Sequence, residues 1–336
     1  MGSSGKVWSI VLAGGEGSRL SQISVDPRGR TVPKQFCSVR GGESLLQKAL
    51  RRARSLAGRE RSLVVVAAEH RCWWASELAG HPEENVVVQP CNRGTACGVM
   101  LPLMQILVRD PEAVAVVLPS DHVVADESTL LGSMRRAIEH ARQEPQRLVL
   151  LGLRPERLDT ELGWIAPVSR DLAPVRSVAR FVEKPSHDVA EQLVRDGALW
   201  NSFIFAMRAS SLFELIRWAL PWLTRMFTYS LIDEDRGTPA ERISRLYSRL
   251  PSVDFSRAVL QEAGEKMRVL AVPPCGWTDV GTPEGVARCA FGDSASGAAA
   301  SPAPVAGVRP PLDLAEALRT YQKGAGFDGR QSLPES

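Results

Sequence analysis

Val7-Trp8-Ser9-Ile10-Val11-Leu12-Ala13-Gly14-Gly15-Glu16-Gly17-Ser18-Arg19-Leu20 is the stretch on which the reading of this chain turns. A short apolar run rich in β-branched residues passes straight into glycines and then a basic residue. The run predicts a buried strand covered on both faces, Val7–Ala13. Glycines placed after such a strand let backbone N–H groups approach phosphate oxygens, and a helix N-terminus beyond them adds a positive dipole. A P-loop needs Gly-Lys-Ser/Thr at its end, whereas this loop ends Ser18-Arg19-Leu20. A dinucleotide fingerprint begun at Gly15 and Gly17 meets Leu20 where its third glycine belongs. It then meets Cys37-Ser38-Val39-Arg40 where its acidic residue belongs. Both patterns fail. A glycine turn that binds nothing stays open on this stretch alone.

Downstream the rhythm repeats. Ser44 starts a helical pattern with Leu45, Leu46, Ala49, Leu50, Ala53 and Leu56 on one face and Gly58 as its stop. Leu63–Ala67, Val86–Gln89, Ala113–Leu118 and Leu148–Leu153 read as strands. Residues 94–108 and 128–143 read as helices, the first of them kinked or interrupted by Pro102. Strands alternating with helices predict an α/β fold, a Rossmann-like, mostly parallel sheet flanked by helices. From 160 to 207 short extended segments (Trp164–Val168, Ala179–Val182, Ser202–Met207) surround one helix near 187–196, which predicts a smaller mixed lobe. Residues 210–263 read as helical, Met267–Val272 as a strand and Thr282–Ala290 as a helix. Residues 291–311 are mostly Gly, Ala, Ser and Pro, so 291–336 reads as a flexible tail with one short helix at Leu312–Lys323.

The 336 residues carry 44% hydrophobic and 24% charged side chains, which excludes a disordered or collagen-like chain. Lys+Arg 41 against Asp+Glu 38 leaves +3, so no bulk affinity for nucleic acid or an acidic membrane surface is expected. Any anionic ligand must be held by a local site. The apolar run at the start is too short for a signal peptide, and no stretch reaches the ~18 apolar residues of a membrane span. The six cysteines form no C-x-x-C pair and read as reduced thiols of a cytoplasmic protein. The five histidines are scattered, with no spacing that suggests zinc.

Further motifs give the glycine loop a context. Pro33-Lys34-Gln35-Phe36 follows a basic loop containing Arg28 and Arg30. Beyond it come Gln89-Pro90-Cys91-Asn92-Arg93-Gly94-Thr95-Ala96, Leu118-Pro119-Ser120-Asp121-His122 and Gly163-Trp164-Ile165. Phe181-Val182-Glu183-Lys184-Pro185, Trp200-Asn201-Ser202 and Trp277-Thr278-Asp279-Val280-Gly281 complete the series. In this order the chain resembles the sugar-nucleotide pyrophosphorylases, nucleotidyltransferases acting on sugar 1-phosphates. The Pro-Lys-Gln-Phe form is most similar to the branch that guanylylates mannose 1-phosphate.

The resemblance implies a nucleotide-diphospho-sugar transferase fold over 1–290, with a sugar-binding lobe at about 160–207. It implies transfer of GMP from GTP to mannose 1-phosphate, with release of pyrophosphate and a requirement for Mg²⁺. The nucleotide falls to Leu12, Ala13, Gly14, Gly15, Gly17, Arg19, Lys34, Gln89, Asn92, Arg93, Gly94, Thr95, Ser120 and Asp121. The sugar phosphate falls to Gly163, Glu183, Lys184 and Asn201, and the metal to Asp121 and Asp279. Arg19, Lys34 and Lys184 are the catalytic cations. Such a reaction unites two polyanions and its nucleophile is already ionised, so cations and a metal serve it better than a general base. Bland readings compete at each position: an exposed loop lysine at 34, a surface Glu183–Lys184 pair, and turn or helix caps at Asp121 and Asp279.

The implied partners are small molecules, and a homodimer is compatible with the pattern. The alternatives are a nucleotidyltransferase for another base or sugar, or a non-catalytic paralogue that senses nucleotide sugars. The second would be expected to lose Lys34, Lys184 or a metal aspartate, and all are present. Two positions depart from the family. Trp164 stands where tyrosine is commoner. Phe203 stands where glycine usually follows Asn-Ser, which predicts a ring that narrows or reorients the sugar pocket. No left-handed β-helix or barrel isomerase module follows residue 281, so one activity is expected rather than two.

Overall fold

The computed structural model describes residues 6–17, 20–168, 173–232 and 237–291, and 312–314, 316, 317 and 319 of the C-terminal segment. In chain order the first elements are β1 (Val7–Ala13), β2 (Cys37–Ser38), α1 (Leu45–Ala57), β3 (Ser62–Ala67), α2 (Arg71–Glu77), β4 (Val86–Gln89) and α3 (Gly94–Arg109). Next are β5 (Val114–Pro119), β6 (His122–Val123), α4 (Glu127–Gln143), β7 (Leu148–Leu153), β8 (Gly163–Pro167), β9 (Val175–Glu183), α5 (His187–Arg195) and β10 (Leu199–Arg208). The rest are α6 (Ala209–Ala219), α7 (Pro221–Ile232), α8 (Pro239–Arg249), a π-turn (Ser256–Leu260) running into α9 (Gln261–Ala263), β11 (Met267–Val272), β12 (Thr278–Asp279), α10 (Pro283–Phe291) and β13 (Leu312–Asp313).

One nine-stranded sheet runs β4-β3-β1-β5-β10-β7-β11-β9-β8. Its central strands β3, β1, β5 and β7 are buried on both faces because both faces are covered. Ile10, Leu63 and Val65 pack among the residues of α3, α6, α7 and α8, whereas Val11, Val64 and Val66 pack among those of α1 and α4. The N-terminal helix begins as its sequence dictates. The Ser44 hydroxyl accepts the Gln47 N–H at 3.1 Å, and the Gln47 side chain returns to the Ser44 N–H at 3.0 Å.

The expected parallel arrangement holds for β4-β3-β1-β5 and for β7-β11. Between these blocks β10 runs antiparallel to both β5 and β7, and β8 and β9 form an antiparallel edge whose β8 also meets β10. β8, β9 and β10 therefore share one sheet with β1, the strand that leads into the glycine loop. This places β10 beside the end of β5, so residues distant in sequence face one cleft.

Pro102 does not interrupt α3, which is continuous from Gly94 to Arg109. Nine of its residues are buried, including Val99, Met100, Leu101 and Leu103. That burial outweighs one lost helical hydrogen bond. Leu312–Asp313 pairs in parallel with Cys37–Ser38, and Leu314 beyond it is fully buried. The start of the expected 312–323 helix is thus a bridge to β2, and residues 314, 316, 317 and 319 are helical. The expected flexible stretch lies, apart from Phe291 and these few residues, outside the described residues.

Candidate active site

A cleft of about 270 Å³ opens at the carboxyl ends of β1 and β5. This is where open α/β sheets bind ligands. Leu12, Gly14, Gly15, Lys34, Thr95, Ser120, Asp121, Gly163, Glu183, Asn201 and Asp279 all line it. The glycine loop is fixed from behind by a residue to which the sequence assigned no role. Gln35 is buried, and its Nε2 donates to the carbonyls of both Ala13 and Gly15 at 2.9 Å. Gly17 holds φ +66°, and a Cβ there would lie 2.9 Å from the Lys34 backbone nitrogen. Only glycine suits that turn, which presses the loop onto the lysine segment. Ser120 donates its hydroxyl to the Leu12 carbonyl at 2.7 Å and ties β5 to the same loop.

Lys34 Nζ lies 2.6 Å from Asp121 Oδ2, with the two side chains only 19% and 24% exposed. Burial works to raise the Asp121 carboxyl. The Lys34 ammonium and the neighbouring His122 outweigh it and hold the group well below the usual carboxylate range. His122 itself is buried, and its pKa falls to about 4, so the ring is neutral near pH 7. Its carbonyl accepts from Arg52 Nη1 at 3.3 Å, and Arg52, itself buried, is clamped by both oxygens of Glu127 at 2.8 and 2.7 Å.

Asp279 reaches this corner through β12. Thr278 pairs with Val123 and Asp279 with His122 in a two-residue antiparallel ladder. Asp279 is thus set opposite His122, the residue that follows Asp121, and both carboxylates expected at a metal line the cleft. A row of rings runs beneath the cleft from Trp164 through Trp200 and Trp277 to His122, with centroids 6.2, 6.4 and 4.9 Å apart. Trp164 is fully buried and donates to the Asp159 carbonyl at 2.8 Å, so it acts as packing under the cleft.

At the other end Gly163 leaves room for a neighbour, since a Cβ there would lie 2.6 Å from Glu183 Oε2 and displace that carboxylate. Burial first, and then the nearby Asp254, raise Glu183 to about 7, while Lys184 and Arg257 pull the other way. Lys184 has φ 49° and pairs through Nζ with Glu161 Oε2 at 3.1 Å, a partner without a sequence signal. Asn201 accepts the Phe203 N–H through Oδ1 at 3.0 Å.

Several expected contacts stand back from the cleft. The Arg93 side chain turns away, donating through Nε to the Tyr247 carbonyl of α8 at 2.9 Å. That bond braces the loop against α8. Asn92 Oδ1 accepts the Gly94 N–H at 2.9 Å. Gln89 is buried, with its amide wedged behind Gly14 and Gly98. Thr95 lines the cleft, but its hydroxyl accepts the Phe255 N–H at 2.7 Å. Arg19 lies outside the described residues.

Among the described residues no three of His, Cys, Asp and Glu cluster as a metal cage. Asp121 and Asp279 supply hard carboxylate oxygens on one wall, which fits an ion completed by substrate phosphates and water rather than by protein alone.

The profile of the nucleotidyl transferase family matches residues 8–291. The chain belongs to the nucleotidyl transferase family. Mannose-1-phosphate guanylyltransferase 2 of Escherichia coli O157:H7 is 31% identical over 306 residues, covering 83% of this chain and 59% of that protein. Mannose-1-phosphate guanylyltransferase of Salmonella muenchen is 31% identical over 283 residues, covering 82% and 58%. The chain thus spans a little over half the length of the curated relatives it matches. A crystal structure described as mannose-1-phosphate geranyltransferase from Thermus thermophilus superposes with a TM-score of 0.67 at 30% identity, covering 82% of this chain and 76% of that one. The matched span of the nucleotidyl transferase family contains every described cleft residue named above.

Proposed function

We propose that this chain transfers GMP from GTP to mannose 1-phosphate, giving GDP-mannose and pyrophosphate with Mg²⁺ as cofactor. One observation carries the reading. A single cleft joins a corner built from the glycine loop, Lys34, Asp121 and Asp279 to an end built from Gly163, Glu183 and Asn201. The similarity to proteins named for mannose-1-phosphate guanylylation supports this choice of base and sugar.

The sugar phosphate oxygen forms a bond to the α-phosphorus while the bond to the β-phosphate oxygen breaks. The attacking phosphate is already an anion, so no proton has to be removed. The loop amides, freed of strand pairing beyond Ala13, face the triphosphate. Lys34 neutralises charge on the transferring phosphoryl and on the leaving pyrophosphate. Its pairing with Asp121 holds the ammonium in the cleft before substrate arrives. Lys184 grips the sugar's phosphate, and Asn201 and Glu183 take its hydroxyls. Mg²⁺, held by Asp121 and Asp279, would screen the triphosphate and polarise the reacting phosphoryl. The reaction needs only small molecules. Free thiols at all six cysteines fit a reducing, cytoplasmic setting.

The test is a matrix of GTP, ATP, UTP and dTTP against mannose, glucose and N-acetylglucosamine 1-phosphates, read by pyrophosphate release with Mg²⁺. Turnover greatest for GTP with mannose 1-phosphate is expected. Turnover with UTP or dTTP alone moves the assignment to another sugar nucleotide, and silence in every cell removes the enzymatic reading.

A further inference from the structure

Among the described residues, Lys184 and Phe203 alone hold a positive φ without being glycine, and Phe203 sits at 55°. A bulky residue in the left-handed region crowds its Cβ against the following carbonyl and is rare. The position lies in a bulge of β10. The pairing with β7 passes from Asn201 opposite Gly152 to Phe205 opposite Leu150, so the intervening residues leave the ladder. The bulge meets its hydrogen-bonding needs without the ring. The Ser202 hydroxyl donates to the Leu151 carbonyl at 2.7 Å and accepts the Ile204 N–H at 3.2 Å, and Asn201 takes the Phe203 N–H. A glycine would meet every backbone demand there at less strain.

The ring is instead held by two others. It lies edge-on to Phe205 and to Phe255, each with centroids 5.9 Å away, and those two stack on each other at 5.3 Å. Phe205 and Phe255 are fully buried, whereas Phe203 is half-buried and lines the cleft. Through Phe255, whose N–H is bound by Thr95, the ring is tied to the base-side loop. Through its own backbone it is tied to Asn201. It is therefore anchored beside Asn201 and cannot swing aside without losing both edge-on contacts.

We propose that Phe203 is a specificity-determining residue: its ring is a fixed wall of the sugar subsite that admits plain hexose 1-phosphates and excludes those bearing a bulky acetamido group. This rests on the reaction proposed above. The flat apolar face suits the C–H surface of an unsubstituted hexose, and a wall fixed in this way has nowhere to yield to a larger substituent.

The experiment compares kcat/KM for two matched pairs, mannose against N-acetylmannosamine 1-phosphate and glucose against N-acetylglucosamine 1-phosphate. It uses wild type, Phe203→Gly and Phe203→Ala with whichever triphosphate the wild type turns over. Discrimination against the acetamido partner should fall by about tenfold or more in both variants, the scale of size exclusion by one side chain, while KM for the triphosphate stays within about twofold. Phe203→Ala should melt below Phe203→Gly, because alanine keeps a Cβ in the left-handed region. Unchanged discrimination in two folded variants overturns the proposal. If wild type shows no turnover with any pair, the reaction fails instead. Calorimetric titration of the same sugar phosphates then decides the wall by the same ratio of affinities.

Discussion

The two ends of the cleft are built in contrasting ways. The corner around Lys34 and Asp121 lies at the ends of parallel strands. Its loop is pinned by Gln35, its charges are paired at 2.6 Å, and Arg52 braces it from below. The far end grows from antiparallel strands and a bulge. It carries both positive-φ side chains and a glutamate close to half-protonation at neutral pH. One end is electrically settled before substrate arrives, and the other is strained and proton-labile. The contrast suits the proposed reaction, with phosphate charge met at the first end and the sugar fitted at the second.

Asp121→Ala should give the largest effect, a loss of kcat on the order of 10³-fold in pyrophosphate release, because it removes a carboxylate proposed to hold Mg²⁺ and the counter-ion of Lys34 together. Retained turnover in a folded variant would take Asp121 out of the metal site and blur the contrast. Next is Glu127→Gln, which leaves Arg52 buried without its counter-charge. Chemical denaturation should show a loss of roughly 2–3 kcal/mol. An unchanged midpoint would mean that the corner is not braced from beneath.

Lys184→Ala should raise KM for the sugar phosphate about 10- to 100-fold, the scale of a charge-assisted hydrogen bond, and leave KM for GTP unchanged. Equal rises in both constants would merge the two ends into one site. The smallest effect concerns Glu183, whose pKa in the fold, about 7, exceeds the ordinary 4.5. The folded state keeps a proton that the unfolded chain loses above about pH 4.5. Its contribution to stability is therefore complete below that pH and is lost as pH rises through 7. Glu183→Gln should match wild type at pH 4 and be more stable at pH 8, by roughly 1–2 kcal/mol after solvent screening. Melting curves that stay parallel across this range would show that Glu183 is an ordinary surface carboxylate.

Local chemistry made much of this legible. The strand before the glycine loop, the Ser44 cap and the order of the motifs need only nearest neighbours in sequence. Lys34, Asp121, Glu183 and Asn201 reach the cleft as the motifs imply. The central position of β10 was not readable, because an antiparallel strand inserted between parallel ones leaves the same apolar pattern as its neighbours. Pro102 misleads because its cost is local whereas the burial of α3 is tertiary. Sequence places the Arg93 backbone beside the loop expected at the base but not its side chain, whose Nε donates to the Tyr247 carbonyl. Gln35 and Glu161 carried no assigned role, since their partners, backbone carbonyls and a lysine more than twenty residues away, are fixed only by the fold.

The short ladder that sets Asp279 beside His122 also orders events in time. A ribosome releases the glycine loop, Lys34 and Asp121 long before the codon for Asp279 is read. The nascent N-terminal half can shape the triphosphate corner while lacking one of its carboxylates. The proposed site is therefore completed only after all nine strands of the large sheet have emerged, and the proposed transfer must wait until then.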